Sequence, residues 1–489
     1  MNLPQKSRLS RNPMNDGFIP SQLNNRDIDR LRGYKELLSF YHGRHWQGYA
    51  WRGEKRLTFN YTKVVIDKIT SYLMSGITFT VEAVEDSDEA RTRARRAEQA
   101  LYQVYEDNNL EQLDFETEID CAILGDACFK VIWDTETKRV RITAPDIQGI
   151  YAWWLGDDTS RVWRVASKYN LTSDEVEILY KVKPKGKTAC VVELWTANEF
   201  ELWLDNAQIE KKPNPYGFIP FIIYPNLREP KKFWGISDLP QIMEPQQELN
   251  RAMSQLSRIL ELSGNPIAVL ENVEESEDIA VRPGAVWNIP EDAKAYLLDL
   301  LQGGGVRLHI DYVNLLYRIL HDIAESPRAA FGGTERDLSG IALEIELQPL
   351  LQKVRRKQLI RTDTYNRRNR LILKLLEQYQ NESFGNNRLR VVWGPVLPQD
   401  LTRLVSNEQI LIQNGIHSRR RAMDEMGVKD PEMEFNRWLE EREIILKMNK
   451  EVNSPRKIQG FSGNPVNAKS SRGRGRGKVL EPQAEGIEE

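Results

Sequence analysis

Between residues 238 and 263, apolar side chains recur every three or four positions, at Leu239, Ile242, Leu249, Met253, Leu256 and Leu260, with Gln246 interrupting the series. That spacing draws one narrow stripe along an α-helix, the kind that packs against a similar helix rather than onto a broad core. The stretch begins after Trp234-Gly235-Ile236-Ser237-Asp238 and ends in Gly264-Asn265-Pro266, punctuation that brackets a helix. Pro240 suits a first turn, whereas Pro245 predicts a bend or the true start. A second striped helix follows the triple glycine Gly303–Gly305, with Val306, Ile310, Val313, Tyr317, Leu320 and Ala324 at the same spacing. At 1.5 Å per residue each helix would span roughly 30–40 Å. Two such helices suggest a channel wall rather than an enzyme pocket.

Upstream, residues 1–26 show no periodicity and predict an arm that orders on binding. Helical patterns follow at Asp29–Tyr41, around Val64, Val65, Ile69, Leu73 and Met74 with Gly76 as C-cap, at Ser87–Asn109, and at Glu111–Leu124 before Gly125. The first two are joined by an aromatic-rich loop, HGRHWQGYAWRG. From Cys128 the period drops to two, predicting a hairpin turning at Asp134–Thr137 and further strands in RVWRVASKY, ACVVELWTANEFELWL and FIPFIIYPN. Seven of the 12 tryptophans lie between Trp133 and Trp234, consistent with a compact β-rich unit. A small acidic extended unit separates the two striped helices. After the loop SPRAAFGGTERDLSG, the longest helical pattern runs from Ile341 to Tyr379, and Pro349 should kink it. A strand at 389–395, helices over 399–450 and a flexible tail from Asn453 complete an α+β chain.

Composition narrows the function. The 489 residues are 40% hydrophobic and 28% charged, and no run approaches the roughly 18 apolar residues of a membrane span. The N-terminus lacks a secretory h-region, and the three cysteines are too scattered for a disulfide framework or a zinc site, so a reducing, cytoplasmic place of assembly is expected. The formal net charge of −3 argues against a pervasive grip on nucleic acid, and a passage that lets DNA slide would need such weak adhesion.

Catalytic signatures are missing: there is no GxxxxGK[ST], HExxH, GxSxG or CxxC. His42 and His45 flank a turn and carry a weak metal alternative; His309 and His321 read as packing residues. Asp114, Glu116, Glu118 and Asp120 alternate on a helix, cannot all converge on one metal pair, and read as a solvated helix start. Neither metal nor cofactor is expected. Glu274, Glu275, Glu277 and Asp278 form an acidic edge suited to docking. The basic run Lys353, Arg355, Arg356, Lys357, Arg361, Arg367, Arg368 and Arg370 either contacts DNA or pairs with acids on neighbouring elements or subunits. The SRGRGRG tail touches nucleic acid weakly or simply solubilises.

YHGRHW, FNYTKVVIDKITSYLMSG, ILGDACFKVIWD, GFIPFIIYPN, FWGISDLPQIMEPQQELNRAMSQLSRILELSGNP and SGIALEIELQPLLQKVRRKQ, in this order, resemble the portal proteins of tailed bacteriophages, especially siphophages of Gram-positive hosts. The resemblance covers roughly residues 30–400. It implies a ring, twelve copies in that family, at one capsid vertex, with double-stranded DNA passing along the axis. Carried over, residues 27–237 are the wing, 238–263 and 306–326 the stem helices, 264–305 the clip, 327–339 the tunnel loop, 340–398 the long helix and returning wing strand, and 399–452 the crown. The resemblance makes Arg328, Thr334, Glu335, Arg336 and Asp337 the residues nearest DNA. It makes Lys353, Arg355, Arg356, Lys357 and Arg361 DNA or inter-subunit contacts, and Glu274, Glu275, Glu277 and Asp278 the clip docking surface. Implied partners are the terminase large subunit, a head-completion adaptor, and the major capsid and scaffolding proteins, with no membrane. The alternatives are a monomeric nucleic-acid-binding module using 353–370, or a DNA-processing enzyme.

Overall fold

The computed structural model describes residue 18 and residues 20–52, 54–184, 186–264, 267–271, 294–298, 305–332, 340–397, 401–428 and 431–452. The chain divides into two units, Met1–Pro398 and Gln399–Glu489.

Among the described residues of the first unit, helical structure begins at Pro20, ahead of the expected Asp27, with a 3-10 turn leading into α1 (Leu23–Arg26) and α2 (Ile28–Tyr41). Leu23 is buried, and Phe18 packs edge-on against Trp153 and Trp203, so apolar contacts secure this part of the expected arm. In α3 (Tyr61–Leu73), the N-cap Asn60 accepts from the Lys63 amide, and Val65, Ile66, Ile69 and Leu73 are buried. Next come β1 (Ile77–Ala83), α4 (Asp88–Asp107) and α5 (Leu110–Leu124), the last stopped by Gly125 at φ +92°.

The β region holds β2 (Asp126–Asp134), β3 (Arg139–Thr143), β4 (Ile150–Leu155), β5 (Asp158–Thr172), the short α6 (Ser173–Tyr180), β6 (Thr188–Thr196), β7 (Glu199–Leu204), β8 (Ala207–Pro213) and β9 (Phe221–Pro225). Strands β4 to β8 form an antiparallel meander, while β2 pairs with both β3 and β9. The expected hairpin is β2–β3, paired from Asp134↔Arg139 to Lys130↔Thr143.

Then follow α7 (Pro240–Gly264), β10 (Ile267–Glu271), β11 (Lys294–Leu298), α8 (Gly305–Ile323), α9 (Gly340–Glu346), α10 (Gln348–Gln380) and β12 (Asn387–Trp393). Helix α7 continues through Pro245. The expected kink at Pro349 is a break at Leu347, which places Pro349 in the first turn of α10, where its missing N–H costs nothing. Strand β12 returns to pair antiparallel with β1, from Ile77↔Trp393 to Ala83↔Asn387. Among the described residues, two large apolar cores and one small one result: the first joins α3, α5, the meander, α7 and α8, the second joins α4, β1, β2, β3 and β9, and the small one sets Leu23 against Tyr151, Ala166, Val192 and Leu194 of the meander. Helix α10 serves the two large cores, through Leu350 and Val354 in the first and Tyr365, Ile372, Leu375 and Leu376 in the second.

The second unit contains α11 (Leu401–Gln413), α12 (Arg419–Glu425) and α13 (Pro431–Val452). His417 Nδ1 meets Glu408 at 2.9 Å, and Arg419 lies over the Trp438 ring.

Candidate functional site, a helix pair and the charged spine behind it

Helices α7 and α8 pack side by side, and their burial is graded along their length. Leu239, Ile242, Leu249 and Ala252 are buried, Met253 and Leu256 are half-buried, and Leu260 is 52% exposed. On α8, Leu316, Leu320 and Ala324 are buried and Val313 and Tyr317 half-buried, whereas Leu308 is 71% exposed and Ile310, Tyr312 and Leu315 are also exposed. The stripes therefore enter the chain's own core at one end and emerge as uncovered apolar surface at the other.

Gln246, which the periodicity marks only as an interruption, has a structural role. It is fully buried; its Nε2 donates to Phe59 O at 2.6 Å and its Oε1 accepts from the Thr62 amide at 3.2 Å. Asn250 Oδ1 accepts from Phe59 N at 3.0 Å, and Ser254 Oγ accepts from Leu57 N at 3.0 Å. Three polar side chains four residues apart thus take the place of a neighbouring strand and satisfy the backbone of residues 57–59 and the first turn of α3. Asn250 Nδ2 donates to His45 Nδ1 at 2.8 Å, and His45 Nε2 then donates to Phe40 O at 3.0 Å, which assigns that histidine to this network. Burial lowers its pKa, with the Phe40 carbonyl opposing.

The start of α7 explains the Trp-Gly-Ile-Ser-Asp sequence residue by residue. Arg30 lies 3.8 Å from the Trp234 ring centroid. Gly235 passes so close to the end of α5 and the end of β9 that a Cβ would sit 2.4 Å from Gly125 O and 2.5 Å from Pro225 Cβ. Its amide donates to Asp126 Oδ1 at 2.7 Å, and Tyr34 donates to Asp126 Oδ2 at 2.7 Å. Burial pushes the Asp126 carboxyl up to about 6 despite these donors. Ser237 Oγ donates to Ile123 O at 2.6 Å and accepts from the Leu239 amide at 3.0 Å, joining the end of α5 to the start of α7.

Asp238 opens the charged spine. Its carboxylate accepts from Lys353 Nζ at 3.2 Å and from Lys357 Nζ. Lys353 also donates to Ala324 O at 3.0 Å, and Lys357 to Asn226 Oδ1 at 2.7 Å. Burial pushes the Asp238 carboxyl up, but Lys357 and Lys353 outweigh it and hold it well below the usual carboxylate range. One turn on, Arg361 donates to Glu118 through Nε and Nη2, at 2.9 and 2.8 Å to Oε2, and through Nη1 to Asn226 O at 2.6 Å. Arg368 Nη2 donates to Asp114 Oδ2 at 2.8 Å and to Tyr105 at 3.0 Å.

These contacts correct two expectations. Lys353, Lys357 and Arg361 are 5%, 1% and 0% exposed, so they do not offer a surface to DNA or to another subunit. A guanidinium or ammonium so deeply buried requires an anion, and the chain supplies Asp238, Glu118 and Asp114. Asp114 and Glu118 are accordingly buried rather than solvated, whereas Glu116 and Asp120 face outward. Of the basic run, Arg355, Arg356 and Arg370 remain exposed, Arg356 paired with Glu325 at 2.6 Å.

Arg328 is half-buried in a 3-10 turn, Arg328–Phe331, with its guanidinium 5.3 Å from the Tyr317 ring centroid. His321 Nδ1 lies 2.6 Å from Ser326 O and packs edge-on against Tyr317 and Phe331, fixing the turn that leaves α8. Thr334, Glu335, Arg336 and Asp337, and likewise Glu274, Glu275, Glu277 and Asp278, lie outside the described residues. Among the described residues no helix is long and apolar enough to cross a membrane.

No curated protein sequence matches the chain. The family described as phage portal protein, SPP1 Gp6-like, matches residues 21–447, from the 3-10 turn before α1 into α13. With that match over most of its length, the chain belongs to this family of phage portal proteins.

Proposed function

We propose that this portal protein works as a ring of twelve copies at one capsid vertex, through which double-stranded DNA is packaged and later leaves. The match over residues 21–447 carries the reading. The exposed apolar positions on α7 and α8 support it, because Leu260, Leu308, Ile310 and Leu315 gain cover when helices of adjacent copies stand side by side. In this reading α7 and α8 are the stem, and residues 264–305, with β10 and β11, are the clip that meets the terminase large subunit and then a head-completion adaptor. The wing faces the major capsid and scaffolding proteins, and assembly takes place in the host cytoplasm. The role is structural and conductive rather than enzymatic.

Arg328 and Arg336 face the lumen in this reading and meet passing phosphates transiently, without base readout. Replacing both with Glu should lower the amount of DNA packaged or retained per particle while rings still assemble. Unchanged packaging and retention in the double variant would remove these arginines from the channel. The buried spine removes half of the eight basic residues over 353–370 from the surface that a monomeric nucleic-acid-binding module would need.

A further inference from the structure

The loop between α2 and α3 displays two of the most exposed large side chains in the molecule, Tyr49 at 99% and Trp51 at 82%. The backbone beneath them is fixed. Arg56 donates through Nη1 to Gly48 O at 2.9 Å and through Nη2 to Tyr49 O and Glu54 Oε2, both at 3.0 Å. Glu54 also accepts the Trp51 amide at 2.8 Å, and Trp46 Nε1 donates to Thr58 Oγ1 at 3.1 Å. The loop's far foot is held where Leu57 N donates to Ser254 on α7. An aromatic pair on so well-braced a loop is preorganised for insertion, since little ordering entropy remains to be lost. Its flanks are basic, with Arg44, Arg52, Lys55 and Arg56 against Glu54.

At the other end of α3 lies a pocket of about 860 Å³. Its apolar lining includes Met74, Ile77, Tyr102 and Phe115, and Glu106, Glu111 and Glu116 stand exposed around it. No Lys or Arg is among its lining residues. The 13 residues of α3 separate loop from pocket, a distance of roughly 20 Å at 1.5 Å per residue. Bound to Ser254 and braced by Arg56, the loop cannot fill the pocket of its own chain.

A basic aromatic projection and an acidic apolar pocket at separate places on one chain are the two halves of a heterologous contact, and repeating such a contact closes a ring. We propose that Trp51, flanked by Tyr49 and Arg52, inserts into the Glu106–Glu116 pocket of a second copy of this chain and links successive subunits. This rests on the portal reading and adds to it a specific joint outside the helix pair. Burying a large aromatic side chain in such a pocket makes it an anchor of the interface.

The test uses the full chain. A photo-crosslinking phenylalanine analogue at position 51 should give covalent dimers whose linked peptides map to residues 74–116 of the other copy. Rings that form normally but crosslink elsewhere, or not at all, overturn the joint and leave the portal reading standing. A wild-type protein that never forms rings instead counts against the portal reading itself. In parallel, Trp51→Ala should weaken each contact by roughly thirtyfold, read as a higher protein concentration for half-assembly with an unchanged monomer circular dichroism spectrum. Arg52→Glu and Glu111→Arg should each impair assembly, and the combined variant should recover part of the loss. Unchanged assembly in Trp51→Ala, or additive loss in the charge pair, refutes the proposal.

Discussion

Replacing Asp238 with Ala leaves two buried ammonium groups without their anion. Lys353 and Lys357 are 5% and 1% exposed, and both reach the same carboxylate, so neither can turn to solvent without opening the start of α7 or the first turns of α10. Removing one partner of a buried pair costs about 3–5 kcal/mol, and with two cations stranded a value of at least about 4 kcal/mol is expected. The informative control replaces all three charges by apolar groups, Asp238→Leu with Lys353→Met and Lys357→Met. That variant carries no stranded charge, but Ala324 O loses its donor and Asn226 Oδ1 loses one of two, keeping Arg361 Nη2 at 3.1 Å, at about 1 kcal/mol each. Its expected loss is therefore about 2 kcal/mol, smaller than that of the single substitution. Urea unfolding followed by tryptophan fluorescence reads both, through the shift in midpoint at constant slope. The sign of the pH dependence follows from the depressed Asp238 pKa. Its contribution is present above the ordinary value of 3.8 and is lost as pH falls below it. A single variant within 1 kcal/mol of wild type, or a triple variant less stable than the single, would refute this view of the spine.

Asp126 titrates in the opposite sense. Its folded pKa of about 6 lies above the ordinary 3.8, so the wild type should lose up to about 3 kcal/mol as pH rises from 4 to 6, relative to Asp126→Asn; parallel stability-versus-pH curves would contradict it. Gly235→Ala places a methyl against Gly125 O and Pro225 and should cost about 3 kcal/mol in a melting experiment, whereas a near-neutral result would mean that the α5–α7 junction is looser than described. Gln246→Leu strands the Thr62 amide and leaves Phe59 O with the Tyr61 amide alone, for about 1–3 kcal/mol. Hydrogen exchange should accelerate at residues 57–62 ahead of the rest of α3, and uniform exchange across that helix would argue against the side-chain ladder.

Much of the helical layout was legible because a 3.6-residue period needs only local sequence. The stripe from Leu239 to Leu260 follows from that period, the stop at Gly125 from a glycine at the helix end, and the β2–β3 hairpin from an equally local period of two. The β1–β12 pairing was not legible, since its strands lie about three hundred residues apart; the strand near 389–395 was expected, whereas β1 was missed although ITFTVEA alternates apolar and polar residues. The charged spine was half legible. Lys353, Lys357 and Arg361 at four-residue spacing mark one face of a helix, and Asp114 and Glu118 mark another. Nothing local distinguishes a solvated charged face from a buried one, because the deciding contacts span more than a hundred positions. Gln246, Asn250 and Ser254 carried a similar signal, a polar stripe beside an apolar one, whose partner is visible only once residues 57–62 lie alongside.

The most direct test of the portal reading is electron microscopy of the purified full-length protein, with its mass measured by sedimentation. Axial views of a ring with a central hole wide enough for duplex DNA, at a mass near twelve times 56.7 kDa, are the expected result. A species that stays monomeric at every concentration, without an axial hole in any view, would contradict it.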